Sequence, residues 1–279
     1  MAARSVSTGT DGKVMGKRCS PGFFCFALLI AFDSAFAAEI EPVIEKDKPV
    51  ITRSSASGRV RRYPWKTNIV TTLFWIGEPP HGNNLVPNHT SAWDKQWAKS
   101  YGGFDDPNPA NRRSCLPVKF TPRQNPFYCA LPYNDKAHTG HRREAPRVVP
   151  WFQEAYRGPA VSTCKDRWVA IRKGNRIAYA QWEDAGPFRT DHWQYVFGNE
   201  RPKPNLNKGA GLDVSPAVRD YLGLKQTDVT DWRFLDFSEV PHGPWSTLGE
   251  NNTFVINSRK KDVKVTERLK RNEVGGIVR

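Results

Sequence analysis

Between residues 67 and 237, no apolar pattern runs far before Gly, Pro, Asn or Asp interrupts it. The 279 residues include 22 Pro and 21 Gly. Such punctuation excludes long helices and coiled coils and favours short strands joined by structured loops. Residues 67–75 (TNIVTTLFW) are β-branched and aromatic, the composition of a strand. Residues 127–132 form a second strand, closed by Tyr133-Asn134-Asp135. Residues 165–170 lead into the turn Arg172-Lys173-Gly174-Asn175, and 176–182 return as a hairpin. Asp184-Ala185-Gly186-Pro187-Phe188 is a tight turn, and 230–237 make a last strand. Two short helices are predicted. One spans 91–101, capped by Ser91 and stopped by Gly102-Gly103. The other begins at Pro216 behind the cap Ser215 and stops at Gly223. The fold class expected is mainly β: a small barrel with long loop insertions and one or two short helices.

The longest apolar run lies near the N-terminus. Lys13, Lys17 and Arg18 precede ten apolar residues, 23–32, and Ala35-Phe36-Ala37 follows. Basic start, short apolar core and A-x-A site describe a signal peptide, 1–37, and a secreted or periplasmic protein. The run is short for a bilayer span, so no stable membrane anchor is expected after cleavage, although an uncleaved anchor is the alternative. Residues 38–62 mix charge, Ser and Gly and read as a disordered linker. The aromatic-rich region 63–249 is the globular domain. From Asn251 on, eight basic residues stand against three acidic ones, so 250–279 is expected to be a basic, disordered tail. Cys115, Cys129 and Cys164 remain after export. An odd count in an oxidising compartment suggests one disulfide and one free thiol, with all three pairings open. No Cys or His spacing suggests zinc, so neither a metal nor a cofactor is expected. The formal charge of +14 attracts polyanions in general, but export removes the chain from most nucleic acid, which is not expected as a partner.

An ordered pair of motifs narrows the fold further. Asp184-Ala185-Gly186-Pro187-Phe188 resembles the Asp-x-Gly-Pro-Phe turn of the rare lipoprotein A, expansin and family 45 endoglucanase barrels. Gly211-Leu212-Asp213-Val214-Ser215-Pro216 resembles their Leu/Ile-Asp-Leu-Ser motif, which opens a short helix. Upstream, Thr72-Leu73-Phe74-Trp75 is similar to their Thr-x-Tyr/Phe-Trp entry strand. The resemblance covers about 65–240, with 76–126 and 189–208 as insertions, and is nearest to secreted bacterial members without settled function. It implies a six-stranded double-psi β-barrel.

It also implies a site. Asp213 occupies the position of the acid in the endoglucanases, the expansins and membrane-bound lytic transglycosylase A, and Asp184 lies on the companion turn. Glycosidic cleavage needs a carboxylic acid to protonate the leaving oxygen, and inverting hydrolysis needs a second carboxylate to activate water. The endoglucanase base position is Ile76 here, which cannot take a proton, and Glu78 could replace it only if the strand ended differently. Lytic transglycosylation manages with one carboxyl, because the sugar's own hydroxyl attacks. An Asp beside a tight turn can instead serve the backbone alone. Trp182, Trp193, Tyr195 and His192 flank the two motifs and are the candidate sugar contacts. The expected partner is a polysaccharide, peptidoglycan or another anionic wall polymer. The expected function is single-carboxylate cleavage of it, or expansin-like binding and loosening without cleavage.

Overall fold

The computed structural model describes residues 63–275 apart from 81–83 and 85. The proposed signal peptide, the linker, Cys19 and Cys25 lie outside the described residues. The strands are β1 (Lys66–Leu73), β2 (Arg112–Arg113), β3 (Leu116–Pro117), β4 (Tyr128–Leu131), β5 (Lys136–Ala137), β6 (Gly140–His141), β7 (Arg167–Lys173), β8 (Arg176–Ala185), β9 (Leu212–Val214) and β10 (Thr227–Phe234). The α-helices are α1 (Trp97–Tyr101), α2 (Ala145–Val148), α3 (Phe152–Ala155), α4 (Trp193–Val196), α5 (Pro216–Leu222) and α6 (Thr253–Gly275). Six strands close a barrel in the order β1-β10-β7-β8-β4-β9. Closure makes it mixed: β1/β9 and β4/β8 are parallel, whereas β1/β10, β10/β7, β7/β8 and β4/β9 are antiparallel. The mainly β barrel expected from the sequence is the observed fold class.

Local sequence accounts for the elements. In β10, Thr230, Trp232 and Phe234 are buried while the residues between them are half-exposed, the period-2 pattern of a one-sided strand. Inside the barrel, Trp182 stacks on Phe234 with ring centroids 5.7 Å apart, and Trp232 meets Phe234 edge-on at 5.0 Å. Ser215 Oγ accepts from Val218 N, Pro216 opens α5, and Gly223 (φ 70) closes it. The helix expected over 91–101 is confined to α1. Ser91 Oγ accepts instead from Trp93 N and Asp94 N, and Asp94 Oδ1 from Gln96 N, so side chains bond the local backbone in a competing turn.

Two further expectations are corrected. Within the tail, α6 spans Thr253–Gly275: Asn252 Oδ1 accepts from Phe254 N, and the Phe254 ring packs among Trp168, Phe237 and His242, which starts the helix. Beyond this turn, residues 258–266 are all exposed, and the helix runs on through Lys, Arg and Glu, good helix formers. The cysteines also differ from expectation. Cys115, Cys129 and Cys164 are all free thiols. Cys129 and Cys164 are fully buried among apolar side chains, and burial pushes both thiols up, so they behave as small hydrophobes.

β4 is covered on both faces. Its Cys129 and Leu131 join the main core, while Tyr128 and Ala130 pack against Phe74, Ile76, Trp97 and Tyr101 from the long β1–β4 connection. This connection is pinned by Arg112, whose side chain is 2% exposed. Its guanidinium donates to Asp105, to Asp220 on α5 and to the Cys115 carbonyl. Asp105 also accepts from Tyr128 Oη at 3.0 Å, and the same Oη accepts from Ile76 N. Burial pushes the Asp105 carboxyl up, and the facing guanidinium opposes this. Removing one partner of a buried pair strands the other charge. Arg112→Ala is therefore expected to cost about 3–5 kcal/mol in urea-unfolding experiments, far above the roughly 0–1 kcal/mol of an exposed pair such as Arg189–Asp191.

Candidate functional site

One row of residues crosses four strands of the barrel. Thr72 on β1 is paired with Asp213 on β9, Asp213 with Ala130 on β4, and Ala130 with Asp184 on β8. Directly paired residues share a face of the sheet. This is the face on which Tyr128 and Ala130 meet the long connection, outside the main core. Asp184 joins it through an irregularity. Cys129 pairs with Trp182 and Ala130 with Asp184, so Glu183 is an extra residue on β8. The bulge keeps Trp182 in the core with Cys129 and turns Asp184 to the side of Ala130 and Asp213. Glu183 itself is buried, where it accepts from Lys165 and Asn251. Two strand spacings separate the α-carbons of Asp184 and Asp213, about 10 Å, and the methyl of Ala130 is the floor between them.

The two carboxylates differ in their bonding. Asp184 Oδ1 accepts from two backbone N–H groups, those of Ala92 (2.7 Å) and Ala185 (2.8 Å). It thereby ties the first insertion to the 184–188 turn. Asp213 Oδ1 accepts from the hydroxyl of Thr72. Among the described residues, nothing donates to its Oδ2. Gly186 lies beside that oxygen: a methyl at Gly186 would stand 3.7 Å from it, in van der Waals contact, and would cover it. Both carboxylates are half-buried. Burial pushes the Asp213 carboxyl up to about 7, the Thr72 hydrogen bond opposes this, and the charges of Glu78 and Asp184 add to it. Burial pushes Asp184 up to about 6 against its two N–H donors. Asp213 is thus an acid that carries a proton near neutrality, and among the described residues one of its oxygens has no donor.

Glu78 is the group that sequence reasoning underrated. β1 ends at Leu73, and the chain folds back through Glu78 N→Trp75 O at 3.1 Å. Asn88 Nδ2 donates to Glu78 Oε2 at 2.8 Å, in a place from which its charge reaches Asp213. Ile76, at the base position of the resembled endoglucanases, is fully buried. Thr72 was legible only as a letter of the entry-strand motif, and its role follows from its pairing with Asp213.

The expected sugar contacts are largely elsewhere. Trp182 is fully buried against Trp93 and Phe234. Tyr195 is 1% exposed. Its hydroxyl donates to the Gly211 carbonyl and accepts from Trp232 Nε1, which holds the chain just before β9. His192 is buried, with Nε2 3.0 Å from Glu200 Oε2. All three are buried: Trp182 and Tyr195 in the barrel core, His192 against Tyr195 at its edge. Trp193 alone of the four is partly exposed, at the edge of the core. A cavity of about 280 Å³ lies across β1 from the row: Leu73, Trp75 and Arg219 line it, whereas Thr72 faces Asp213. Among the described residues no cluster of His, Cys, Asp or Glu is placed to hold a metal ion, and no helix is long and apolar enough to cross a membrane.

No protein-family model matches this chain, and no curated protein matches it. The reading of the site therefore rests on its own geometry.

The raised Asp213 value has a consequence for stability. The folded chain holds this proton more tightly than the unfolded chain, whose carboxyl has its usual value of 3.8. Stability present at pH 4 is then lost as pH rises to about 7. Asp184 contributes in the same sense up to about pH 6. Asp213→Asn keeps an acceptor for Thr72 and removes the charge. It is expected to stabilise the fold by about 1–3 kcal/mol at pH 8 and by little at pH 4, as read from thermal unfolding at both pH values.

Proposed function

We propose that the chain is an exported glycan-acting protein of the double-psi barrel group that includes rare lipoprotein A and the expansins, with Asp213 as its one general acid. The mixed barrel, with parallel pairs β1/β9 and β4/β8, supports that grouping. The observation that carries the chemistry is the contrast within the row. Asp184 Oδ1 is held by two backbone N–H groups, whereas Asp213 Oδ1 is held by one side-chain hydroxyl; among the described residues no donor reaches either Oδ2, and that of Asp213 lies beside Gly186. A neutral carboxyl at Asp213 donates its proton to the leaving glycosidic oxygen. The resulting carboxylate then accepts a proton from the sugar hydroxyl that attacks the anomeric carbon, and an internally bridged sugar is released. One carboxyl serves both steps, which suits a chain with Ile76 at the usual base position.

Purified peptidoglycan and β-glucans test this reading. Cleavage is expected to yield anhydro ends without new reducing ends. The rate is expected to fall about tenfold per pH unit above about 7, as Asp213 loses its proton. Asp213→Asn is expected to lower turnover about 10²–10⁴-fold. Release of reducing ends that survives Asp213→Asn would overturn the assignment.

The second reading, binding and loosening without cleavage, draws on the same contrast, because Asp184 is committed to the backbone and Asp213 is held by a single side-chain hydroxyl. Binding without any product would decide for it. In either case the charge left after removal of the signal, which carries +2 of the +14 and leaves +12, draws the protein to anionic wall polymers. The Debye length is about 8 Å at 0.15 M salt, so this attraction acts at close range. Co-sedimentation with isolated walls is expected to fall steeply as salt rises and to fall further without residues 251–279. Salt-independent binding would leave the basic α6 without this role.

A further inference from the structure

Phe188 spends conformational and hydrophobic free energy that the chain does not recover. The residue is 45% exposed. Among the described residues it meets no other aromatic ring and no cationic side chain. Its backbone has φ 57, a conformation rare for a bulky residue and comfortable for Gly or Asn. Arg189 N donates to Pro187 O at 2.6 Å across it, which makes Phe188 the centre of a positive-φ γ-turn, the strained kind. The turn is fixed on both sides. Gly186 N donates to Leu131 O, Asn134 N donates to Thr190 O, and Tyr133 bridges to Asp191. An exposed aromatic ring in a strained, pinned turn is poorly explained by folding, and strained residues of this kind cluster at ligand sites.

Its position supplies the ligand. Gly186 borders the Oδ2 of Asp213, to which no described residue donates. Phe188 follows two residues later, its α-carbon at most about 8 Å along the chain from that of Gly186. We infer that Phe188 is a platform on which one pyranose ring of a glycan stacks, next to the sugar whose bridge faces Asp213. A sugar presents an apolar C–H face, and an aromatic ring already fixed in place loses little entropy on stacking. The inference rests on the glycan reading of the Asp213 row and names a contact that the buried Trp182, Tyr195 and His192 cannot make. It also gives a reason for Phe where Gly would be cheaper.

The test uses the full chain with chitohexaose, cellohexaose and purified peptidoglycan as probes, and reads affinity and thermal midpoint together. Phe188→Gly removes the ring and relieves the backbone. It is expected to weaken binding of whichever glycan the unmodified protein binds by about tenfold, with the midpoint unchanged or raised. Phe188→Asn, which also tolerates positive φ, is expected to behave alike. Phe188→Tyr is expected to retain binding within about threefold. Undiminished binding by Phe188→Gly overturns the platform and leaves the Asp213 reading standing. A lowered midpoint in both the Gly and Asn variants assigns the ring to folding and overturns it too. If the unmodified protein binds none of the three glycans, the platform and the glycan reading fail together, whereas turnover lost in Asp213→Asn with binding retained separates the two roles.

Discussion

β4 must be buried twice. A four-residue strand at the parallel junction of a closed barrel gives Cys129 and Leu131 to the interior, and its outer residues Tyr128 and Ala130 are as apolar as its inner ones. Left in water, that outer face would forfeit the burial of a tyrosine ring. The long connection from β1 covers it with Phe74, Ile76, Trp97 and Tyr101. This cover in turn carries Ala92 to Asp184 and Glu78 toward Asp213. The packing need of one strand therefore places the groups that set the electrostatics of the candidate site. Arg112 and Asp105 keep the cover in register by joining it to Tyr128 and Asp220 through bonds that water cannot readily replace.

Much of the framework was legible from local chemistry. The β7–β8 hairpin, the Ser215 cap with Pro216 behind it, and the Gly223 stop are each decided within a few residues, where propensity and turn geometry agree. The row Thr72–Asp213–Ala130–Asp184 was legible only in part. Its acids were named by motif, but their shared face depends on the pairing of strands far apart in sequence. The aromatic contacts were the least legible. Trp182, Tyr195 and His192 flank the motifs in sequence, yet strand alternation and the 193–211 segment send them inward. A ring's neighbours in the chain do not say which side of a barrel it faces. The tail was misjudged for a related reason. Composition made 250–279 look solvated throughout, whereas Phe254 and Asn252 dock its first turn.

The site also illustrates how burial and function pull against each other. Asp213 is costly where it stands: half-buried, near two other carboxylates and held by one hydroxyl. A carboxylate held by more donors would stabilise the barrel more and would give up its proton at lower pH. Asp184 shows the safer arrangement on the neighbouring turn, with two N–H donors on one oxygen. The two residues share a row and a residue type, and their different donors give them different work.

The bulge at Glu183 stores part of this design in a residue count. Between Trp182 and Asp184 the strand advances two residues while its partner advances one. Parity decides which side chains look inward: in a regular strand Trp182 and Asp184 would share a face, so the extra residue is what keeps Trp182 in the core and Asp184 beside Ala130 and Asp213. Sequences that keep the two-residue step from Trp182 to Asp184 but pair through it without the bulge would not keep the same site. Comparison of such sequences has to align strand phase as well as residue identity.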